Sequence, residues 1–253
     1  MTTSFPPPSL QHPVELNLAL QAHGYAVLRA PDFAALAGCD LGQLNALKSY
    51  WDDLPPDGYL KDGGRYRRRR HSCFVVDDGG VDVHVQQVPH RPHWQPVEYN
   101  ALHGGMQRWF EPLAPAMAAH PQWSQLLAWL ARVSSARTTT QAWFVEAHQF
   151  RIDTTDGIGR PTPEGAHRDG VDFVAVFMVD RVNIKGGETR VFDAAGPGGQ
   201  RFTLTESWSL LLLDDARVIH ESTPIQPVAD GQSGWRDTLV VTLRSGGFQG
   251  ESV

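Results

Sequence analysis

The sequence predicts a mainly β fold, namely a double-stranded β-helix (jelly-roll) barrel buttressed by N-terminal helices. After residue 137, about seven or eight short strand-like segments follow one another, separated by turns rich in glycine, proline and aspartate. Helical segments do not alternate with them, which argues against a parallel α/β sheet. Before that point amphipathic helical patterns predominate. We therefore predict one domain over residues 1–253, in which residues 1–135 supply helices and edge strands and residues 136–253 form the barrel core.

The N-terminal half contains the predicted buttress. Residues 1–13 form a proline-rich arm, and Gly24 provides a stop signal for the first helix. Asp40 and Gln43 resemble a capping box at the start of another helix. The predicted elements are helices over residues 14–23, 32–37, 40–51, 105–120 and 124–133 and strands over residues 25–28, 72–76 and 81–88.

The C-terminal half contains the predicted barrel strands. The continuous apolar run over residues 173–179 is typical of a buried strand. Residues 142–152 alternate instead, and they include the polar side chains His148 and Arg151. The remaining predicted strands lie within residues 186–193, 208–213, 218–221 and 235–244.

The composition argues against a nucleic-acid-binding, membrane or secreted protein. A net charge of −6 and a pI near 6.0 do not indicate binding to nucleic acid or to an anionic membrane, so we expect neither as a partner. The two cysteines cannot form a disulfide framework, and no apolar run approaches the length of a membrane span. The first residues lack the basic and apolar regions of a signal peptide, so a cytoplasmic location is expected. The sequence leaves the oligomeric state undetermined.

Two histidines and an aspartate form the most informative pattern in the chain. His167 and Asp169 are two residues apart, so on an extended segment their side chains point to the same face. His220 follows much later and must be brought in by the fold. Two imidazoles and one carboxylate on one face are the ligand set of non-haem Fe(II) sites, which keep open positions for a co-substrate and O2.

The alternative is a chance pattern, because a chain with 11 histidines and 28 acidic residues is expected to contain one His-x-Asp/Glu. The residues around His167 and Asp169 favour a metal-binding role for the pattern. Gly165 and Gly170 flank the motif and allow tight turns, and the predicted core strand at 173–179 follows at once. A polar loop that leads into a core strand is expected at the mouth of a jelly-roll barrel.

Arg236 is the candidate anchor for a second ligand, 2-oxoglutarate. Its guanidinium can bind a carboxylate bidentately, and Thr238 lies on the same face of the predicted strand to add a hydroxyl donor. From this segment alone, a surface ion pair between Arg236 and Asp237 is equally compatible with the pattern. Arg244 is the next candidate anchor on that strand.

Two further polar clusters leave alternatives open. The four consecutive arginines from Arg67 to Arg70 precede a predicted strand, so alternate side chains should point to opposite faces, with one pair in solvent and the other in the barrel. A structural role, a substrate carboxylate and nucleic acid are all compatible with this run. A separate group of histidines at positions 84, 90 and 93 suggests a second metal site, but the neighbouring prolines favour a surface loop.

Five segments together resemble the bacterial Fe(II)/2-oxoglutarate-dependent amino-acid dioxygenases typified by L-isoleucine 4-hydroxylase. They are YRRRRH at 66–71, GG at 104–105, PEGAHRDG at 163–170, NIKGGET at 183–189 and WRDTLVVT at 235–242. The resemblance extends from about residue 25 to residue 242. It implies a cupin-like barrel, iron ligands at His167, Asp169 and His220, and Arg236 as the oxoacid anchor. It also implies hydroxylation or sulfoxidation of a small free amino acid, with Fe(II), 2-oxoglutarate and O2.

A free amino acid needs a partner for each charged end. Arg151 and one of the four arginines, for which we select Arg69, are candidates for its carboxylate, and Asp172 or Glu146 for its ammonium. Each of these residues is also compatible with an ion pair of the barrel. Two rival functions stay open, namely a cupin metalloenzyme that does not use 2-oxoglutarate and a non-catalytic jelly-roll binding protein.

Overall fold

The computed structural model describes residues 10–79, 82–100 and 102–250. The strands are β1 (Tyr25–Leu28), β2 (Arg67–Asp77), β3 (His84–Gln87), β4 (Ala142–Asp153), β5 (Phe173–Val182), β6 (Ile184–Gly186), β7 (Thr189–Asp193), β8 (Gly199–Phe202), β9 (Ser209–Asp214), β10 (Val218–Ser222), β11 (Ile225–Pro227) and β12 (Trp235–Arg244). The helices are α1 (Pro13–His23), α2 (Ala30–Ala37), α3 (Leu41–Ala46), α4 (Pro115–Ala118) and α5 (Pro121–Ser135), with a 3₁₀ helix over Leu47–Trp51.

The strands form antiparallel sheets in a mainly β jelly-roll fold, which confirms the predicted fold class. The large sheet has the order β1-β9-β5-β12-β4-β2-β3, so β12 is paired along its length with β5 on one side and β4 on the other. Smaller sheets contain β10, β7 and β8, and β11 with β6. An isolated antiparallel bridge joins His167 to His220, the central residue of β10.

The period-two alternation of β4 and β12 divides the large sheet into two faces. On one face, Val145, Ala147, Leu239 and Val241 join a hydrophobic core that also contains the buried side chains of α2 and α5. The opposite face lines a polar cavity, and the register places its residues in rows across β2, β4 and β12. These rows are Arg67–Ile152–Arg236, Arg69–Phe150–Thr238, His71–His148–Val240 and Cys73–Glu146–Thr242.

Most predicted elements are present, and the differences have local causes. Residues 105–120 were predicted to be one helix, but only Pro115–Ala118 is helical. Pro112 and Pro115 lack the backbone N–H that a continuous helix needs, so this prediction is wrong. The strands β6, β8 and β11 were not predicted, because each has only three or four residues and contains a glycine or a proline. The predicted strand 81–88 is confirmed only over His84–Gln87, and residues 80 and 81 lie outside the described residues.

Helix ends follow their capping chemistry. Gly24 ends α1 with φ +75°, and the Asp40 carboxylate accepts from the Gln43 N–H at 2.8 Å at the start of α3. Asp32 lies inside the first turn of α2 rather than at its N-cap, which is Arg29. The Asp32 carboxylate pairs with the Arg29 guanidinium. Among the described helices, none is long and apolar enough to cross a membrane.

Candidate active site

The predicted metal ligands converge on the wall of the polar cavity. His167 and His220 exchange backbone hydrogen bonds of 3.0 and 2.9 Å, and their ring centroids are 4.6 Å apart. The Asp169 carboxylate oxygens lie 3.8 Å from His167 Nε2 and 3.7 Å from His220 Nε2. The three ligand atoms all lie within 4.8 Å of one another. We call these three residues the triad.

The free atoms of the triad suit a divalent metal ion. His167 Nδ1 donates to the carbonyl of Gly165 at 2.9 Å, which leaves the lone pair of Nε2 available to a metal ion. Burial alone would lower the pKa of His167, but the neighbouring Asp169 and Glu164 carboxylates raise it. Burial and the adjacent His167 hold the pKa of His220 well below its usual value, which favours the neutral, ligating form. Two imidazole nitrogens and a carboxylate that make no hydrogen bonds to one another fit the facial Fe(II) ligand set.

The loop that carries Asp169 is held by buried side chains. The Asp215 carboxylate accepts the backbone N–H groups of Asp169, Gly170 and Val171 at 3.0, 2.8 and 3.2 Å. Gln249 donates to the carbonyls of Asp169 and Gly170. Gly170 has φ +75°, which confirms the tight turn predicted at this glycine. Burial, together with the charge of Asp169, raises the pKa of Asp215 to about 7.

Arg236 faces the same cavity and is only 5% exposed. Its Nε has no hydrogen-bond partner, and no described carboxylate pairs with the guanidinium. Burial and the neighbouring Arg181 lower the pKa of Arg236 to about 10. Asp237 points to the opposite face and pairs with Arg151 at 2.7 Å, so the alternative of an Arg236–Asp237 ion pair is wrong. Thr238 lines the cavity beside Arg236.

Alternate arginines of β2 point to opposite faces, as predicted. Arg68 and Arg70 point away from the cavity, and on that outer face Arg70 pairs with Glu111 at 2.8 Å. Arg67 and Arg69 line the cavity, and Arg67 Nε donates to the buried Asp57 at 2.7 Å. Every second residue of a strand faces the same side, so the run provides two guanidiniums to the interior.

Arg69 is fixed from three directions. Its guanidinium carbon lies 3.8 Å from the ring centroid of Phe110 and 4.3 Å from that of Phe150. Its Nη2 is 2.7 Å from His148 Nδ1. Because a guanidinium can only donate, His148 Nδ1 is the acceptor and the ring proton is on Nε2. Arg69 is therefore a predicted site residue that does line the cavity.

A second group of histidines also borders this cavity, and we call it the quartet: His71, His93, Glu146 and His148. The Glu146 Oε2 atom is 2.8 Å from His71 Nε2 and 2.7 Å from His93 Nδ1. Burial lowers the pKa of His93 to about 4 against the opposing effect of Glu146. His93 is only 8% exposed, so the expectation of a surface loop at this histidine is wrong. The backbone bridge from His93 to Arg108 turns its side chain inward.

Two predicted substrate contacts lie outside the cavity. Arg151 faces away from the cavity-lining residues of β4 and pairs with Asp237 and Asp52. Asp172 accepts from the backbone N–H of Ser245 at 2.7 Å. Arg244, the alternative anchor, donates to the carbonyl of Gly247. The expectation that Arg151 and Asp172 contact substrate is corrected accordingly, whereas Glu146 does line the cavity.

Three cavity residues were missed by sequence reasoning. Gln95 donates to Asp169 Oδ1 at 3.1 Å and accepts from Arg108 Nη2 at 2.8 Å. Glu164 Oε1 lies 3.5 Å from His167 Nε2, and its buried Oε2 has no hydrogen-bond partner among the described residues. The motif around His167 contains Glu164 and could have indicated it. Gln95 and Arg108 belong to an irregular segment with no pattern that marks them.

Three solved structures share the fold of this chain. A bsmA homolog from Methylobium petroleophilum PM1 is 49% identical, with a TM-score of 0.91 over 100% of this chain and 99% of that chain. IDO from Bacillus thuringiensis shares the fold at 16% identity, with a TM-score of 0.73 over 96% and 99% of the two chains. The Fe(II)/(alpha)ketoglutarate-dependent dioxygenase TqaL shares it at 20% identity, with a TM-score of 0.70 over 92% and 86%.

The sequence itself carries the family signature. No curated protein matches the chain significantly. The sequence model of the 2OG-Fe dioxygenases, however, matches residues 48–242, a span that includes the triad, the quartet and Arg236. The chain therefore belongs to the 2OG-Fe dioxygenase family, whose members use Fe(II), 2-oxoglutarate and O2.

Proposed function

We propose that this protein hydroxylates an unactivated C–H bond of a small free amino acid. The substrate, 2-oxoglutarate and O2 are converted to the hydroxylated product, succinate and CO2. One observation carries the proposal. Among the described residues, the buried guanidinium of Arg236 has no carboxylate partner, and it lines the same cavity as two histidines and an aspartate that could hold a metal ion. This is the combination that a metal and an oxoacid together require.

The triad, rather than the quartet, is the proposed iron site. His167, Asp169 and His220 present free ligand atoms to one point. In the quartet, Glu146 Oε2 already accepts from two imidazoles, and Arg69 fixes the tautomer of His148. A metal there would have to displace these hydrogen bonds in a buried site, at a cost in free energy.

Arg236 and Thr238 are the proposed 2-oxoglutarate contacts. The guanidinium would donate to the distal carboxylate, and the like charge of Arg181 increases the gain from an incoming anion. When bound, the iron supplies the O2-dependent oxidation that converts 2-oxoglutarate to succinate and transfers one oxygen atom to the substrate. The residues of this chain bind and orient the two organic molecules and exclude water from the reacting atoms.

The charges of the cavity support a small zwitterionic substrate. The cavity lining includes four arginines and three carboxylates, namely Arg67, Arg69, Arg108, Arg236, Glu146, Glu164 and Asp169, and Asp57 lies behind the first two. The four positive charges of the arginines therefore equal the four negative charges of the lining carboxylates and Asp57. The two positive charges of Fe(II) likewise equal the two negative charges of ionised 2-oxoglutarate. A substrate that is neutral overall but charged at both ends preserves this balance.

The partners and location that we propose follow from the same features. The arginines of β2 point either into the cavity or to acidic partners such as Glu111 and Asp153, rather than forming a basic surface. We propose a small-molecule substrate, without nucleic acid or membrane, in the cytoplasm.

The test is an anaerobic reconstitution with Fe(II) and 2-oxoglutarate, followed by oxygen and a panel of free amino acids. We expect one or more amino acids to stimulate succinate release and to gain the mass of one oxygen atom. An amino acid that is oxidised without succinate would indicate a metalloenzyme independent of 2-oxoglutarate. If no compound in the panel stimulates succinate or is oxidised, the amino-acid proposal is overturned.

A further inference from the structure

The geometry points to a specific site for the amino-acid zwitterion, in which Arg67 and Arg108 bind the α-carboxylate and Glu164 binds the α-ammonium. This inference rests on the proposed function. It selects Arg67 from the four arginines that the sequence offered for the carboxylate, and it adds Arg108 and Glu164, which the sequence alone did not identify for this role. Arg67 and Arg236 lie in the same row on either side of Ile152, and we assign the α-carboxylate to Arg67 and Arg108 and the oxoacid carboxylate to Arg236.

The first argument is charge. Arg67 pairs with Asp57, and Arg69 lies 3.8 Å from the same carboxylate, so one buried aspartate serves two guanidiniums. Arg108 is only 2% exposed and has no described carboxylate partner; its Nη2 donates to the neutral side chain of Gln95. Unpaired buried charges destabilise a protein strongly, so an anion bound here would be favoured.

The second argument is the set of unused donors. Arg67 Nη2 and Arg108 Nε are buried atoms without a hydrogen-bond partner among the described residues, and both side chains line the cavity. Burial, followed by the charge of Arg67, lowers the pKa of Arg108 to about 10. The two unused donors belong to side chains that line one cavity, and each can donate to one oxygen of a carboxylate.

Arg69 has a positioning role in this arrangement. Its faces are covered by Phe110 and Phe150, and one edge is bonded to His148. Its charge remains next to Arg67 through the shared Asp57, so it increases the positive potential of the site. The direct contacts to the carboxylate come from Arg67 and Arg108.

The ammonium partner is Glu164 rather than Glu146. Glu146 Oε2 accepts hydrogen bonds from two imidazoles of the quartet, whereas Glu164 Oε2 is buried and accepts none. Glu164 lines the same cavity as Arg67 and Arg108, and its charge opposes the lowering of the Arg108 pKa. The carboxylate and ammonium of an α-amino acid are attached to the same carbon, so their partners must be neighbours. Since Glu164 Oε1 lies 3.5 Å from His167 Nε2, the substrate would be held next to the iron site.

The test is calorimetric binding under anaerobic conditions to protein loaded with Fe(II) and 2-oxoglutarate. The probes are the proteinogenic L-amino acids, and the strongest binder is then compared with its amide and its N-acetyl form. The variants are Arg108→Met, Arg67→Met and Glu164→Gln, with Arg68→Met as the matched control because Arg68 points away from the cavity. The binding of 2-oxoglutarate and the melting temperature show whether each variant is folded.

We expect Arg108→Met and Arg67→Met to weaken amino-acid binding by about 30-fold or more, the effect of losing one buried charged partner. Their affinity for 2-oxoglutarate should be unchanged. The amide should bind poorly to the wild type, and Arg108→Met should weaken its binding little further. The N-acetyl form should also bind poorly to the wild type, and Glu164→Gln should weaken its binding little further. Arg108→Lys, which keeps the charge, should recover part of the affinity.

Two results would overturn this inference in distinguishable ways. If the wild type binds an amino acid and releases succinate, but the folded Arg67, Arg108 and Glu164 variants bind it equally well, the zwitterion site is elsewhere and the proposed function stands. If the wild type binds none of the amino acids, the amino-acid reaction and the zwitterion site both fail.

Discussion

The triad and the quartet contain similar side chains on one cavity, but they differ in which atoms are free. In the triad, the Asp169 carboxylate faces two imidazole nitrogens at 3.7 and 3.8 Å, too far for hydrogen bonds but suited to a shared ion. In the quartet, Glu146 accepts from His71 and His93 at hydrogen-bond distance. The number of histidines and carboxylates therefore does not identify a metal site; the number of unused lone pairs does.

Neighbouring charges reinforce this difference. Carboxylates surround the triad, and Asp169 and Glu164 raise the pKa of His167. Arginines surround the quartet, and burial together with cationic neighbours, including Arg69 and Arg108, lowers the pKa of His148 well below its usual value. A divalent cation is favoured by the first environment and opposed by the second.

The largest expected effect is the loss of turnover when the triad is changed. His167→Ala, Asp169→Ala and His220→Ala should each abolish succinate formation, because each removes one of three protein ligands. Asp172→Ala is the matched control, since this carboxylate lies outside the cavity and should leave turnover near that of the wild type. Full activity in any triad variant would refute the ligand assignment.

The next effect concerns the oxoacid. Arg236→Leu should raise the 2-oxoglutarate concentration needed for half-maximal turnover by about 30-fold to several thousand-fold, because a buried charged pair is lost. The requirement for the amino acid should change much less. A steady-state titration of each substrate measures both effects. An unchanged 2-oxoglutarate requirement would exclude Arg236 as the anchor.

A smaller effect is expected at Gln95, which links the proposed amino-acid site to the triad. Gln95 connects Arg108 to Asp169 through hydrogen bonds of 2.8 and 3.1 Å. Gln95→Leu should lower turnover by about 10- to 100-fold, the usual result of removing a group that orients a metal ligand. The ratio of hydroxylated product to succinate should also fall, because the substrate is held less well. A variant with an unchanged ratio and rate would show that this link is not used.

The smallest effect is the pH dependence of stability in the quartet. The pKa of His93 falls from 6.5 to about 4 on folding, so its contribution to stability is present above pH 6.5 and is lost as the pH falls towards 4. His93→Gln removes this titration. On acidification, the free energy of unfolding should fall less steeply in the variant than in the wild type. The two slopes should differ by up to about 1.4 kcal/mol per pH unit. Denaturant unfolding of metal-free protein at several pH values measures the difference, and parallel curves would contradict the account.

The sequence predicted the parts of the site that local spacing determines. His167 and Asp169 are two residues apart, and Arg67 and Arg69 alternate on one strand, so their shared faces follow from strand geometry. The buried β5 and the whole of β12 were also recognisable from their apolar patterns. These features need no knowledge of how distant segments pair.

The rest depends on pairing and on irregular segments. Only the register of β2 and β4 shows that His71 lies opposite His148, and only the folded loop brings His93 to Glu146. Arg151 was assigned to the wrong face because its strand is polar on both faces, and its aspartate partner, Asp237, is on another strand. Asp172 lies close to the triad in sequence, but its carboxylate is bonded to the backbone of Ser245.

The most direct test of the central claim is the Fe(II) stoichiometry of two charge-matched variants. Anaerobic Fe(II) binding in the presence of 2-oxoglutarate should give one ion per chain in the wild type. Asp169→Asn should lose this ion, and Glu146→Gln should retain it. The carboxylate and imidazoles of the triad make no hydrogen bonds to one another, whereas Glu146 already accepts from two imidazoles. Loss of iron in Glu146→Gln with retention in Asp169→Asn would place the metal in the quartet and contradict the account.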